Sequence, residues 1–116
     1  MSENIVKSKS FAFAVRTVNF YKILNERKEF ILSKQLLRSG TSVGANVREA
    51  INGQSKADII HKLSISQKEC DESIYWLELL KATNYIKEKE FNSMYDDAVE
   101  LLKIIRSIII TTKGKL

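Results

Sequence analysis

The chain has 116 residues and a mass of 13.3 kDa. This is the size of a single domain with a modest core, and we predict one domain over residues 1–116. Hydrophobic residues make up 44% of the chain, which excludes a disordered protein. Proline is absent and there are only four glycines, whereas β-sandwiches and β-barrels need many turns that favour both residues. The composition therefore predicts long helices and excludes collagen-like, disulfide-rich and multi-domain proteins.

The charge balance is basic, with 19 Lys and Arg against 14 Asp and Glu and a formal net charge of +5. This excess permits binding to a polyanion such as RNA without requiring it. The single cysteine, Cys70, cannot form an intramolecular disulfide, and the N-terminus lacks the apolar run of a signal peptide. None of the apolar runs, such as residues 108–110, is long enough to cross a bilayer. We therefore expect a cytoplasmic protein with no membrane association.

The first periodic segment extends from about Asn4 to Asn25. Apolar residues at i, i+3, i+4 and i+7 spacing predict one buried stripe, consisting of Phe11, Ala14, Val15, Val18, Tyr21 and Leu24. The next four residues, 25–28, are predicted to form a connection. Residues 30–32 are apolar and are expected to cover the end of the bundle.

The second segment is predicted from Ser33, as the N-cap, to about Asn52. Local propensity favours a loop at residues 38–44, but apolar and small residues keep a helical spacing through it: Leu36, Gly40, Val43, Val47 and Ala50. Each glycine costs about 1 kcal/mol of helix propensity, so a packing reason is needed. Gly40 and Gly44 lie one turn apart on the same side, which predicts close approach of a neighbouring helix. Gly53 is expected to end the helix.

The third segment opens with a capping box formed by Ser55 and Asp58 and continues to about Asn84. Its predicted seam is Ile59, Leu63, Ser66, Cys70, Ser73 and Leu77. The fourth segment extends from about Lys87 to Thr112, with the seam Phe91, Met94, Ala98, Leu101, Ile105 and Ile108. Further apolar residues lie beside that seam, namely Leu102, Ile104, Ile109 and Ile110. A helix that is apolar over more than one stripe contacts two partners, and the second is expected to be another subunit.

Catalytic and metal-binding patterns are missing from the sequence. A di-iron bundle needs two Glu-x-x-His pairs, but the only histidine is His61, with Asp58 three residues before it. Cys70 lies nine residues from His61 on the same helix, about 13 Å along its axis, too far for a nucleophile–base pair within one chain. There is no phosphate-binding glycine loop, nucleophile elbow or zinc spacing. We expect no catalytic residues, metal or cofactor.

Several stretches of the sequence are more specific for a particular family than its composition and periodicity are. Residues 33–50 read SKQLLRSGTSVGANVREA, residues 55–62 read SKADIIHK, and Lys68-Glu69 and Tyr75-Trp76-Leu77 follow. Together they resemble the four-helix-bundle family of 23S rRNA intervening-sequence proteins over nearly the whole chain. The resemblance implies an all-α, antiparallel, up-down-up-down four-helix bundle that assembles as a ring-like homopentamer, and it implies no catalytic activity.

Many members of this family are encoded within insertions in 23S rRNA genes. A related branch comprises the accessory variability proteins of diversity-generating retroelements, whose pentamers bind nucleic acid and a reverse transcriptase through a basic surface. The resemblance therefore implies RNA or DNA, a protein partner and further copies of the chain as candidate partners.

Five basic residues are the candidates for nucleic-acid contact. Lys34 and Arg38 lie one turn apart on the second helix, Lys9 and Arg16 lie two turns apart on the first, and Lys22 follows below them. Repeated around a ring, such a patch produces a strong field that attracts phosphates.

The alternative is that these are ordinary solvated side chains, some of them paired with Glu26, Glu29 or Glu49. Exposed aromatic residues for base stacking are not evident, because Tyr85 and Tyr95 fit the core or the rim equally well. The function hypothesis is a non-enzymatic, nucleic-acid-associated scaffold. The other hypothesis is a structural or adaptor protein that binds another protein, such as a reverse transcriptase, with no nucleic-acid role.

Three polar residues, Thr41, Ser42 and Asn46, are expected to hydrogen-bond to neighbouring helices and so to fix their register. Trp76 is expected in the core or in a subunit interface.

Overall fold

The computed structural model describes the backbone of residues 2–114 and the side chains of residues 5–114. Four helices follow one another: α1 (Ser2–Glu26), α2 (Leu32–Ile51), α3 (Lys56–Ala82) and α4 (Glu88–Lys113). All four predicted helices are confirmed, with ends within a few residues of the predicted positions. Residues 38–45 lie inside α2 without interruption, so the stretch that propensity alone assigns to a loop is helical.

The helices form an antiparallel, up-down-up-down four-helix bundle, as expected. Each helix packs against its neighbours in sequence, and α1 also packs against α4. The antiparallel direction of α1 and α4 is visible in three ion pairs, made by two residues of α1 and by Arg27 directly after it with residues of α4 that lie progressively earlier: Lys9–Glu100, Arg16–Asp97 and Arg27–Glu90. One hydrophobic core runs between the four helices. The buried residues of α2 and α3 include small ones, among them Ser39, Gly40, Ser66 and Cys70.

The contact between α1 and α2 depends on two glycines. A Cβ atom added at Gly40 would lie 2.6 Å from both Cγ2 and Oγ1 of Thr17, and one added at Gly44 would lie 3.1 Å from the backbone oxygen of Ser10. Thr17 cannot turn away easily, because it is buried and its hydroxyl donates to the Phe13 carbonyl at 2.8 Å. The predicted close approach of the neighbouring helix is therefore confirmed. Gly40 lies against the short side chain of Thr17, whose position is fixed by its hydrogen bond.

Replacing Gly40 by alanine tests this contact. Alanine gains about 1 kcal/mol of helix propensity, but overpacking against Thr17 should leave Gly40→Ala destabilised by about 1–3 kcal/mol. In a Thr17→Ala background, which removes both atoms at 2.6 Å, the same change should cost little. Urea unfolding of the four variants in a double-mutant cycle measures the coupling. Equal costs of Gly40→Ala in both backgrounds would show that Thr17 is not the obstacle.

The predicted buried stripe of α1 is wrong. The residues that face the core are Val6, Ser10, Phe13, Thr17, Phe20 and Leu24. Of the predicted stripe, Leu24 alone is fully buried, whereas Phe11 is 57%, Val15 44% and Val18 36% exposed. Helix α1 is apolar on two sides, and the close approach of α2 selects the side with small residues, because Ser10 and Thr17 fit against its glycines.

Most of the apolar residues that lie beside the predicted seam of α4 pack into the core of the same chain. Leu102 and Ile109 are buried in the core, and Ile104 packs against it. Ile108, predicted in the seam, is only partly buried, and Ile110 is 71% exposed. The second partner of α4 is another helix of the same chain, because α4 contacts both α1 and α3. Among the described residues, α1 carries more of the large exposed apolar side chains than any other helix.

The start of α2 differs from the predicted serine cap. The helix begins at Leu32, and Ser33 is buried with its hydroxyl donating to the Glu29 carbonyl at 2.9 Å. The buried Glu29 carboxylate accepts hydrogen bonds from the backbone nitrogens of Ile31, Leu32 and Ser33 at 2.6–3.2 Å. Glu29 thus caps the helix, because the first turn leaves its N–H groups without partners.

Two smaller expectations at the helix ends have different outcomes. Ser55 caps α3 as predicted, accepting a hydrogen bond from the Asp58 backbone nitrogen at 3.1 Å. The expectation that residues 30–32 cover the end of the bundle is wrong for Phe30 and Ile31, which are 52% and 76% exposed.

Register between α2 and α3 is held by serines of α3. Ser66 donates to the Val43 carbonyl at 2.8 Å, and Ser73 donates to the Ser39 hydroxyl at 2.9 Å. The expectation that Thr41, Ser42 and Asn46 bond to neighbouring helices is wrong, because all three bond to carbonyls one turn earlier in α2 itself. These residues are only partly buried, and the backbone of their own helix is the nearest acceptor.

Candidate nucleic-acid interface

The five basic residues predicted for nucleic-acid contact do not form one patch. Lys9 and Arg16 lie where α1 meets α4, and Lys9 pairs with Glu100 at 2.9 Å. Arg16 pairs with Asp97 and also donates to Ser93 of α4. Arg38 lies on the opposite side of the bundle, where α2 meets α3. Three of the five cations are therefore engaged by carboxylates on two opposite faces.

Arg38 bridges two carboxylates of α3. Its guanidinium pairs with Glu69 at 2.9 Å and with Glu72, which also accepts a hydrogen bond from the indole nitrogen of Trp76 at 2.9 Å. The Trp76 and Arg38 donors hold the pKa of Glu72 below its usual range. Glu72 and Glu69 in turn raise the pKa of Arg38. Arg38 thus belongs to a polar network that joins α2 to α3.

Lys34 and Arg38 should respond differently to charge reversal, although they are one turn apart. Arg38→Glu would place a third carboxylate beside Glu69 and Glu72 and should destabilise the fold by about 1 kcal/mol or more. Lys34→Glu, at an exposed site with no ion pair, should change stability by less than about 0.5 kcal/mol. Chemical denaturation measures both. Equal stability of the two variants would contradict the structural role of Arg38.

The network also predicts a pH dependence. Because the pKa of Glu72 is lower in the folded chain than in the unfolded chain, its contribution is complete above the unfolded pKa of about 4.3. That contribution is lost as the pH falls through the folded pKa. Since the pair is partly exposed, it is worth less than about 1 kcal/mol. Glu72→Gln should therefore lower stability at pH 7 and converge with the unmodified chain near pH 2, as measured by urea unfolding across this range.

The remaining two candidates lie near the same end of the bundle. We call this the turn end, formed by residues 22–34 and 81–90, which contain the α1–α2 and α3–α4 connections. Five of its lysines make no ion pair within the described part of the chain: Lys22, Lys28, Lys34, Lys87 and Lys89. Most carboxylates of the turn end are occupied, by the α2 cap at Glu29, by Arg27 at Glu90 and by Lys81 at Glu88. Its charge is therefore mainly positive and unpaired.

The turn end also exposes two aromatic side chains, Phe30 at 52% and Tyr85 at 40%. An open cavity of about 820 Å³ lies beside Tyr85 and is lined by Arg27, Lys81, Asn84, Tyr85, Ile86, Lys87 and Glu88. Arg27 holds the two connections together, donating to the Tyr85 carbonyl at 2.9 Å and to both oxygens of Glu90. The arrangement can therefore offer cations to phosphates and ring faces to bases.

Sequence reasoning missed most of the turn end. Lys28, Lys87 and Lys89 were not among the candidates, because they lie in or just after two connections that are far apart in the chain. Lys28 and Asn84 each adopt a left-handed backbone, with φ of 64° and 68°, and so reverse the chain at the same end of the bundle. Of the two tyrosines left open, Tyr85 is exposed, whereas Tyr95 is partly buried and stacks on Phe91 with ring centroids 5.1 Å apart.

The two residues weighed for catalysis, Cys70 and His61, lie in different environments. Cys70 is buried, its thiol donates to the Ala98 carbonyl at 3.3 Å, and burial raises its pKa to about 12, so it is a thiol at neutral pH. His61 is exposed on α3. Among the described residues, no three His, Cys, Asp or Glu side chains lie close enough to hold a metal ion.

Within residues 2–114, none of the helices combines the length and apolar character needed to cross a membrane.

The fold and its basic turn end define a small four-helix-bundle protein. The family model for the 23S rRNA-intervening sequence protein matches residues 2–107, and the chain belongs to this family. It is also similar to a crystal structure of a protein with unknown function from the S23 ribosomal protein family of Bacteroides thetaiotaomicron VPI-5482. The two are 56% identical with a TM-score of 0.92, over 94% of this chain and 98% of the other. No curated protein matches the chain.

Proposed function

We propose that this protein is a non-enzymatic, homo-oligomeric scaffold of the cytoplasm that binds nucleic acid through its turn end. The observation that carries the proposal is the group of five lysines without ion pairs, beside the exposed rings of Phe30 and Tyr85. Cations already paired with carboxylates gain less from a phosphate, because the existing partner must be displaced. Of the residues predicted from sequence, Lys22 and Lys34 therefore remain in the proposed interface, and Lys9, Arg16 and Arg38 leave it.

Assembly strengthens the proposed interface. The family resemblance implies a ring-like homopentamer, and in a ring with one rotation axis every bundle points the same way. In the assembly that we propose the bundles run parallel to that axis, so the five turn ends share one rim and their lysines form a basic annulus. Phosphate contacts add along a strand, so a weak interface on one chain becomes a strong one in the ring.

A salt titration of RNA binding tests the function. Lys28→Glu with Lys34→Glu should weaken binding of a labelled 30-nucleotide RNA and lower the slope of log affinity against log salt by about 1.4 for each chain that contacts the RNA, about 0.7 for each lost phosphate contact on a single strand. The folded state should be retained, since both side chains are exposed and make no ion pair. Fluorescence anisotropy at several salt concentrations supplies both quantities.

The matched control is Lys103→Glu with Lys113→Glu. These are also exposed lysines without ion pairs, they lie on α4 outside the turn end, and their reversal changes the net charge equally. This control should keep most of the affinity. Equal loss in both double variants would show that net charge, not the turn end, determines binding. Failure of the unmodified chain to bind at low salt would remove the proposed function.

A second candidate is a protein adaptor, favoured by the exposed apolar side chains of Phe30 and Ile31 beside the lysines. A basic surface with apolar residues at its centre also fits an acidic protein surface. The related accessory variability proteins suggest a reverse transcriptase as such a partner. An adaptor of this kind would bind its protein partner unchanged when nucleic acid is added, which separates it from the first candidate.

A further inference from the structure

A groove on the side formed by α1 and α2 is apolar in its centre and basic at its edge. It has a volume of about 330 Å³ and is lined by Lys7, Ser10, Phe11, Ala14, Thr41, Gly44, Ala45 and Arg48. Phe11 is 57% exposed there, and Val15 and Val18 continue its apolar stripe along α1. The Arg48 guanidinium carbon lies 5.8 Å from the centre of the Phe11 ring.

The two cations of this groove have no acidic partner. Neither Lys7 nor Arg48 makes an ion pair within the described part of the chain, and no carboxylate lines the groove. Phe11, Val15 and Val18 form an exposed apolar strip beside these two cations, and a contiguous apolar strip with a polar rim is typical of an interaction surface. The chemistry that fits is an aromatic or aliphatic side chain flanked by carboxylates.

Helix α3 presents such a strip on its outer side. Tyr75 is 55% exposed, and the exposed carboxylates of Asp71 and Glu78 lie one turn on either side of it. Neither carboxylate makes an ion pair within the described residues. At 1.5 Å per residue the two acidic positions are about 10 Å apart along the helix, with the tyrosine between them.

We infer that the groove between α1 and α2 of one copy receives the Asp71–Tyr75–Glu78 strip of α3 of a second copy. This inference rests on the proposed assembly and assigns its contact surfaces. Tyr75 packs against Phe11, and the two carboxylates meet Lys7 and Arg48. Charge complementarity selects this occupant, because a two-fold pairing of the groove with itself would bring cations against cations.

The contact is heterologous, which means that each copy uses two different surfaces. The groove belongs to α1 and α2, whereas the strip belongs to α3, so one copy can bind a neighbour on each. A heterologous contact closes into a ring when the rotation per subunit allows it. A ring with an odd number of subunits requires such a contact, since two-fold interfaces pair the chains.

Phe11→Asp tests the groove. The change lies on an exposed side chain, so the variant should remain helical by circular dichroism, while its mass by light scattering should fall from a multiple of 13.3 kDa to one chain. The matched control is Ile110→Asp, an exposed apolar residue on α4 at 71%, which should keep the assembled mass. An unchanged mass of Phe11→Asp would overturn the inference, and so would a loss of assembly in the control.

Charge exchange tests the pairing. Asp71→Lys with Glu78→Lys should also give single chains, and adding Lys7→Glu with Arg48→Glu in the same chain should restore the assembly. The inference would be overturned if Asp71→Lys with Glu78→Lys still assembled. It would also be overturned if the variant with all four changes stayed monomeric while folded.

Mixing tests the heterologous geometry and separates the two proposals. Phe11→Asp retains the strip, and Asp71→Lys with Glu78→Lys retains the groove, so the mixture should form dimers and nothing larger. A mixture that stays monomeric would overturn the inference. If the unmodified chain is itself monomeric, the proposed assembly fails; if it assembles while Phe11→Asp does not change its mass, only the surfaces assigned here fail. RNA binding by the turn end is measured separately in each variant.

Discussion

The close approach of α1 and α2 at Gly40 is the constraint on which the rest of the structure depends. With Thr17 held by its own hydrogen bond, there is no space for a side chain at position 40, and a Cβ atom at Gly44 would be tight, at 3.1 Å from the backbone oxygen of Ser10. This contact determines the rotation of α1 about its axis. It turns Ser10 and Thr17 inward, and it therefore turns Phe11, Val15 and Val18 outward. The apolar surface of the molecule is a direct consequence of how two glycines pack.

Whether a cation is paired depends on the carboxylates that the neighbouring helices place beside it. Cations that lie beside a carboxylate of a neighbouring helix are used to join the helices, as Arg16 and Arg38 do. Cations in the connections have fewer such neighbours, because Glu29, Glu88 and Glu90 serve a helix cap or other ion pairs. Five lysines that make no ion pair within the described residues therefore lie together at the turn end, whereas others, such as Lys7, Lys103 and Lys113, are spread over the rest of the surface. Lysines that do not pair with carboxylates of neighbouring helices remain available for contact with phosphates.

Much of the fold could be predicted from sequence, and much less of the site. The seams of α2 and α3 were correct because only one stripe of each helix is both apolar and small, and the helical reading through residues 38–44 was correct because that stripe continues through it. Helix α1 offers two apolar stripes, and periodicity cannot choose between them. Sequence could not show that the five basic candidates lie on different surfaces, since a helical wheel of α2 does not reveal that Glu69 and Glu72 lie opposite Arg38.

The sequence by itself determined four helices, their approximate ends and the family, because helical periodicity, small-residue stripes and the SGTSVGAN stretch are local properties. Only the tertiary structure decided which face of α1 is buried, that Glu29 and not Ser33 caps α2, and which lysines remain unpaired. Each of these depends on atoms that are distant in the chain and meet only when the helices pack. Burial and ion pairing depend on the residues of neighbouring helices, and the sequence of a single helix does not identify those residues.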